Sequence, residues 1–254
     1  MKLIKNRGNY LKHHSQAYLI IFILSLTAFL ILFLTSISIL PIYQNFGKYE
    51  MARGEFSIVA FILALISYKF YLRYKVGLDG EKQVTEYLSK ILSNDYFLIN
   101  DFTRLDGRGN IDHILLSENG IIVMETKNNK GEITFYGDNW NVSSWSPIYQ
   151  VKGNAANIHD LIEHSGILSK NTPWVTGMVV FPQAKLKFNG TPSTPVKIID
   201  EVLSFIKNNE GKRLFSIGEI NKIVDLMVDS SKKSDLKQGG LLGILWGDFK
   251  DFFF

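Results

Sequence analysis

The sequence predicts an α/β fold: a mixed β-sheet flanked by helices, preceded by a transmembrane helical hairpin. Three observations point there. Residues 17–40 form a run of 24 residues without a charge. Further on, two apolar runs of strand length flank Asn119-Gly120, the dipeptide that most strongly signals a hairpin. Around them lie segments whose apolar residues recur at the helical period.

The 254-residue chain holds no Cys, so a disulfide-stapled module and any site built on thiolates are excluded. Its formal net charge is +4, but the charge is unevenly placed. Residues 1–72 carry seven basic side chains against Glu50 and Glu55, and the rest of the chain sums to −1. The basic excess therefore belongs to the N-terminal part and is no nucleic-acid footprint of the remainder.

Ala17 to Leu40 is long enough to cross the hydrocarbon core, for which about 20 residues suffice. A cleaved signal peptide would have a shorter apolar core and a small-residue cleavage site, so a retained anchor is expected. A second span is expected over about 55–72, with Lys69 snorkelling and Tyr68, Phe70, Tyr71 and Tyr74 forming an interfacial belt. Its alternative is a short helix lying in the interface. Lys/Arg residues flank the pair on its outer sides, so the positive-inside rule places both outer flanks in the cytoplasm. The protein is then a multi-pass protein of the cell membrane, with the bilayer as a partner and its soluble part cytoplasmic.

After residue 75, Leu78-Asp79-Gly80-Glu81 reads as a helix start with Asp79 as N-cap, followed by the stripe Val84, Leu88, Ile91, Leu92. Phe97-Leu98-Ile99 reads as a short strand. Ile111 to Leu116 and Ile121 to Lys127 form the hairpin. Gly131 to Tyr136 and Trp140 to Val142 suggest a second hairpin. Ser146-Pro147 starts a helix, with Ser as N-cap and Pro at the first position. Val175 to Phe181 and Val196 to Ile199 read as strands, and Glu201 to Lys207 and Ile217 to Val228 as helices. The domains expected are 1–75, 76–200, a helical extension over 201–240 and a hydrophobic tail over 241–254.

The first hairpin carries chemistry. With Asn119 and Gly120 as its loop, paired positions sum to 239, and Asp112 lies across from Lys127 with Glu125 on the diagonal. All three then share one face of an otherwise apolar strand pair, where charges seldom cluster unless they are used. Phosphodiester hydrolysis needs a divalent cation, an activated water and neutralisation of the charge that develops. Two carboxylates supply hard ligands for Mg²⁺, and a lysine beside them can orient or deprotonate water or stabilise the transition state.

These segments resemble the nuclease-related domain family, a branch of the PD-(D/E)XK nuclease-like superfamily. The matching residues are Gly80-Glu81, Gly109 to Ile114, Gly120 through Asn128, Trp140 and Ser146 to Gln150. The resemblance covers roughly residues 77–190 and implies a restriction-endonuclease-like sheet. It implies Asp112, Glu125 and Lys127 as the metal and catalytic site, with Glu81 and Gln150 as helpers and Glu81 among the metal ligands. Mg²⁺ or Mn²⁺ is the implied cofactor and nucleic acid the partner, DNA ahead of RNA, with a homodimer as one assembly. Ser146 departs from the family's usual Asn, and Ile111 from the superfamily's nominal Pro.

The function expected is a membrane-anchored metal-dependent nuclease hydrolysing phosphodiester bonds. Its alternative is a non-catalytic nucleic-acid-binding or membrane scaffold domain, because a fold does not establish a function. Arg104, Arg108, Lys127, Lys130 and Lys152 are the candidates for local positive potential. His159, Glu163 and His164 read as a solvated helix face and His113 as structural. Trp140 and Trp145 read as core or edge packing, and the tail as a membrane-surface anchor or a segment docked on the domain.

Overall fold

Apolar side chains segregate in two different ways along this chain. The computed structural model describes residues 1–5, 10–36, 50–104, 109–168, 172–208 and 214–235. It divides into two units, Leu11–Val76 and Met1–Tyr10 together with the chain from Gly77 onward.

The first unit holds α1 (Tyr10–Ser36) and the first part of α2 (Glu50–Ile91). Both helices are long and apolar enough to cross a membrane, the most apolar 18-residue stretches within Leu11–Thr35 and Gly54–Ile91 having mean hydropathies of 2.8 and 1.6. On α2 the buried residues Ser57, Ala60, Ala64 and Ser67 recur at helical spacing, while Phe56, Ile58, Ile62 and Leu65 are exposed. Small residues let helices approach closely. Ring pairs join the two helices, Tyr18 with Phe70 at 4.9 Å and Phe29 with Phe61 at 5.0 Å between centroids. The expected end of the first span at residues 37–40 and the connecting loop lie outside the described residues.

One expectation fails here. The helix does not begin at Asp79; α2 runs unbroken through it, so Asp79 is no N-cap. Once a helix is nucleated, each added residue gains a hydrogen bond. An interior glycine costs about 1 kcal/mol, and complete burial of Val84 and Leu88 beyond it offsets that.

The second unit is a layered α/β structure with nine strands among the described residues. They are β1 (Lys2–Lys5), β2 (Phe97–Thr103), β3 (Asn110–Ser117), β4 (Gly120–Thr126), β5 (Gly131–Tyr136), β6 (Asn139–Trp140), β7 (Thr176–Phe181), β8 (Ala184–Asn189) and β9 (Val196–Ile198). The main sheet has the order β1-β2-β3-β4-β7-β9. Antiparallel pairing joins β2 to β3 to β4, and β1, β7 and β9 add in parallel, so the sheet is mixed. A smaller sheet has the order β6-β5-β8. The sequence reading contained neither β1 nor β8.

On one face of the main sheet pack α3 (Pro147–Ser165), through Ile148, Val151, Ile158 and Ile162, and α5 (Ile217–Asp235), through Ile220, Ile223 and Met227. On the other face, Val84 and Leu88 of α2 join Val202 and Ile206 of α4 (Val202–Asn208) against Leu98, Leu115, Met124 and Val180. The expected cap of α3 is present: Ser146 has extended backbone angles and its Oγ accepts from the Ile148 N–H at 3.3 Å. The hydrophobic tail and residues 236–240 lie outside the described residues.

The hairpin register differs from the expected one. Ser117 pairs with Gly120 and His113 with Met124, so partners sum to 237, and Glu118 and Asn119 are the turn. A type I′ turn would need positive φ at both central residues, yet Asp101 is the only described non-glycine residue with one. Gly120 takes φ of +149° instead, just after the turn. Asp112 consequently lies opposite Glu125 rather than Lys127. Moving the loop by one residue shifts the partner sum by two, and because strand side chains alternate with period two, the face of every residue is unchanged.

Candidate metal and phosphodiester site

Asp112 at the start of β3 and Glu125 near the end of β4 come together where the strand ladder ends. Asp112 Oδ2 accepts from the Thr126 backbone N–H at 2.7 Å, which ties the carboxylate across the hairpin. Lys127 stands just beyond β4, its backbone N–H donating to Val180 O at 2.9 Å. Its Nζ donates to Glu125 Oε1 at 2.7 Å and to Gln150 Oε1 at 3.2 Å. Gln150 comes from the first turns of α3, which the Ser146 cap and Pro147 start at this end of the sheet.

Glu81 arrives from α2 on the other side. Its approach depends on Gly80, where a Cβ would lie 2.7 Å from Asn128 Cβ and 3.0 Å from Asn128 Cγ. Only a glycine lets the helix pass so near the strand end. Glu81 interacts electrostatically with Asp112, Asp101 and Glu125 as well as with Lys127. All five residues expected at the site are therefore brought together, from two strands, a strand extension and two helices.

Asp101 is the acid the sequence reading missed. It sits in β2 between Asn100, paired with His113, and Phe102, paired with Ile111. Its φ of +55° is sterically costly for a residue with a side chain. Asn110 Nδ2 donates to its Oδ1. The one signal for Asp101 was its alternation with Ile99, and ending the strand at Ile99 hid it.

Four acids face one lysine, so ionising all of them would make the cluster strongly negative, and that repulsion adds to the effect of burial. Burial first, then Glu125, pushes Asp112 well above the usual carboxylate range, with Lys127 and the Thr126 N–H pulling the other way. Burial, then Asp112, Asp101 and Glu125, likewise pushes Glu81 well up. For Lys127, burial favours the neutral amine, but Glu125, Asp112 and Glu81 outweigh it and raise its pKa. The lysine is an ammonium.

Glu125 is 2% exposed, and its Oε2 is buried with no hydrogen-bond partner. A buried, unpartnered carboxylate oxygen beside further carboxylates is the donor chemistry that suits a divalent cation, which takes oxygen ligands and offsets the mutual repulsion. The residues present fit such an ion.

Other candidates lie elsewhere. His113 is fully buried with Nδ1 2.8 Å from Asn100 Oδ1, and burial lowers its pKa to about 3, as suits a structural histidine. Lys152 pairs with Asp138 at 3.1 Å, and Lys130 is exposed, so neither joins the site. Arg104 bonds Asn154, and Arg108 lies outside the described residues. Trp140 packs against the core, its Nε1 donating to Trp145 O at 3.0 Å, whereas Trp145 is 66% exposed and meets only the Tyr149 ring, tilted at 6.2 Å between centroids, among the ring contacts described. His159 lies 3.6 Å from Glu163 and 5.6 Å, ring to tilted ring, from Trp174, half-buried rather than wholly solvated.

An uncharacterized protein of Bacillus anthracis is 29% identical over 149 residues, covering 54% of this chain and 68% of the relative. No solved structure matches the chain. The family model described as "Nuclease-related domain" matches residues 76–182, a range that contains Glu81, Asp112, Glu125, Lys127 and Gln150. Over that segment the chain is similar to the nuclease-related domain family.

Proposed function

We propose that this protein is a membrane-anchored, metal-dependent nuclease that hydrolyses phosphodiester bonds of DNA, or of RNA, at Asp112, Glu125 and Lys127. The observation that carries the reading is the buried, partnerless Oε2 of Glu125 within a cluster of four acids. Asp112 and Glu125, with Glu81, would hold Mg²⁺ or Mn²⁺, which when bound acts as a Lewis acid and lowers the pKa of a bound water. Lys127, kept as an ammonium by its acidic neighbours, serves better to stabilise charge developing on the phosphoryl oxygens than to accept a proton. Gln150, from α3, holds the Lys127 head group together with Glu125 of β4. The Thr126 N–H holds Asp112 in place.

Membrane anchoring is part of the same proposal. Residues before α1 and residues after Val76 belong to one folded unit, so a bilayer crossed by the intervening hairpin must leave both on one side. The basic outer flanks support a cytoplasmic location for that side. Because the chain has no Cys, single cysteines introduced in the 37–49 loop and at Ser93 can be labelled selectively in intact cells. Labelling of the Ser93 site from outside would overturn the orientation.

The test of activity uses the full chain in detergent with labelled single- and double-stranded DNA and RNA. Cleavage is expected with Mg²⁺ or Mn²⁺ and none with EDTA. Lys127→Ala should lower the rate by about 10²–10⁴-fold while retaining the cation, whereas Asp112→Ala or Glu125→Ala should lose cation binding too. Wild type and Lys127→Ala that bind nucleic acid alike and cut nothing would favour the scaffold alternative.

A further inference from the structure

The polar stripe of α3 continues past the site. Asn154 lies one turn beyond Gln150 and is 1% exposed. Its Oδ1 accepts from Arg104 Nη1 at 2.9 Å. A guanidinium only donates, so the atom facing it must be the amide oxygen, and the Asn154 NH₂ necessarily points the other way. That Nδ2 is buried and has no partner. A cation held in place and a buried donor lacking an acceptor are therefore joined in one pair. Buried polar groups are nearly always satisfied, and the exceptions call for a water, ion or ligand.

An anion would satisfy the Asn154 NH₂, and a phosphate in that place also suits the planar donors of the neighbouring arginine. The position is informative too. Residues four apart share one face of a helix, separated by about 6 Å along its axis, so Asn154 is the neighbour on α3 of the glutamine that holds Lys127. Arg104 is fixed at the end of β2 by its N–H to Gly109 O at 3.2 Å. Since the chain beyond residue 72 has a net charge of −1, grip on a polyanion has to come from local donors rather than from a general positive field.

We infer that Arg104 and Asn154 form a phosphate subsite that holds the phosphate flanking the one being hydrolysed, and so positions a nucleic-acid strand over the acidic centre. This rests on the nuclease reading, which it deepens by requiring a substrate with at least two phosphates. The subsite sits beside the carboxylates without belonging to their cation site. Asn154 acts on substrate position, not on the reacting atoms.

The test uses full-length protein in detergent, with Arg104→Gln, Arg104→Lys and Asn154→Asp. The last keeps an oxygen toward Arg104 but replaces the donor with an acceptor and adds a negative charge, so Asn154→Ala, which removes the donor without adding charge, accompanies it and should show the same loss. Lys152→Gln, on the same helix but paired with Asp138, controls for charge loss. Substrates are a single-stranded oligonucleotide and a dinucleoside monophosphate, which has no flanking phosphate. For Arg104→Gln and Asn154→Asp, KM on the oligonucleotide should rise about tenfold or more with a much smaller change in kcat. The loss should be far larger than on the dinucleoside. Arg104→Lys should recover part of it. Oligonucleotide binding in EDTA should weaken too, and its log–log salt slope should flatten by about 0.7 per lost phosphate contact for a single strand. Wild-type affinity and salt slope in both variants would overturn the subsite, as would equal losses on the two substrates. If wild type cleaves nothing but the variants still bind oligonucleotide more weakly in EDTA, the nuclease reading fails and the subsite stands.

Discussion

Residues 11–76 and the α/β unit solve the problem of apolar surface in opposite ways. In the hairpin, large side chains such as Phe56, Ile58 and Leu65 face outward and the buried stripe is Ser57, Ala60, Ala64 and Ser67. In the α/β unit, Leu88, Ile114, Val123 and Val179 are wholly buried, and the buried acid Glu125 sits at the sheet end. The first pattern suits a surrounding as apolar as the side chains themselves, where close backbone approach decides packing. The second suits water, where removing apolar area is the driving force. α2 carries both patterns along one helix, so its average composition describes neither part.

The contrast breaks if truncation costs the same in both units. Leu88→Ala should destabilise the α/β unit by about 2–5 kcal/mol, while Ile58→Ala on the exposed face of the hairpin should cost almost nothing in detergent. Urea unfolding followed by tryptophan fluorescence would compare them, since all four Trp residues lie beyond residue 76. Equal losses would mean that Ile58 packs as a core residue. A smaller effect is expected at Gly80→Ala, about 1–3 kcal/mol from forcing a methyl against Asn128. That variant should also lower cation affinity by displacing Glu81, whereas Gly54→Ala, with open space around it, should not.

The acidic centre sharpens the comparison through pH. Glu81 and Asp112 titrate above their ordinary values in the folded protein. Between the ordinary and the raised values the folded state holds protons that the unfolded chain has released, so stability falls as pH rises through that window. Asp112→Asn should remove much of this slope and raise the stability of the cation-free protein above the window by about 1–2 kcal/mol, at the expense of activity. Thermal melts across pH, with EDTA and with Mg²⁺, would check it; a slope unchanged by the substitution would assign the repulsion elsewhere. The smallest effect belongs to Ser146→Ala, about 1 kcal/mol from losing the α3 cap, with a modest fall in activity because α3 carries Gln150.

Much of the site was legible because its information is periodic. The expected register was wrong by two in the partner sum, yet Asp112, Glu125 and Lys127 still share a face because an error of two is invisible to a period of two. Ser146-Pro147 was legible as a local signal that needs no tertiary partner. The Asp79 cap was misread because Asp before Gly-Glu looks alike at a helix start and within a helix that packing carries onward. β8 had a signal, Lys185 and Lys187 alternating with Ala184, Leu186 and Phe188, that ought to have marked a half-exposed strand. Asp101 was hidden because the expected strand ended at Ile99, two residues short of it, whereas β2 continues to Thr103. β1 was beyond reach: four residues before a long apolar helix carry no period, and their partners begin at Phe97.

That small strand decides how the protein can be taken apart. Lys2 to Lys5 pair with Phe97 to Asn100 along one edge of the main sheet, and the Lys2 N–H donates to Tyr96 O at 2.8 Å. A soluble fragment cut at residue 76 discards this strand together with the hairpin and leaves the backbone of β2 open. Such an open rim is a template on which other copies stack into aggregates. Reattaching residues 1–5 through a flexible linker ahead of Gly77 would close the rim again and free the domain of the apolar hairpin with its sheet intact.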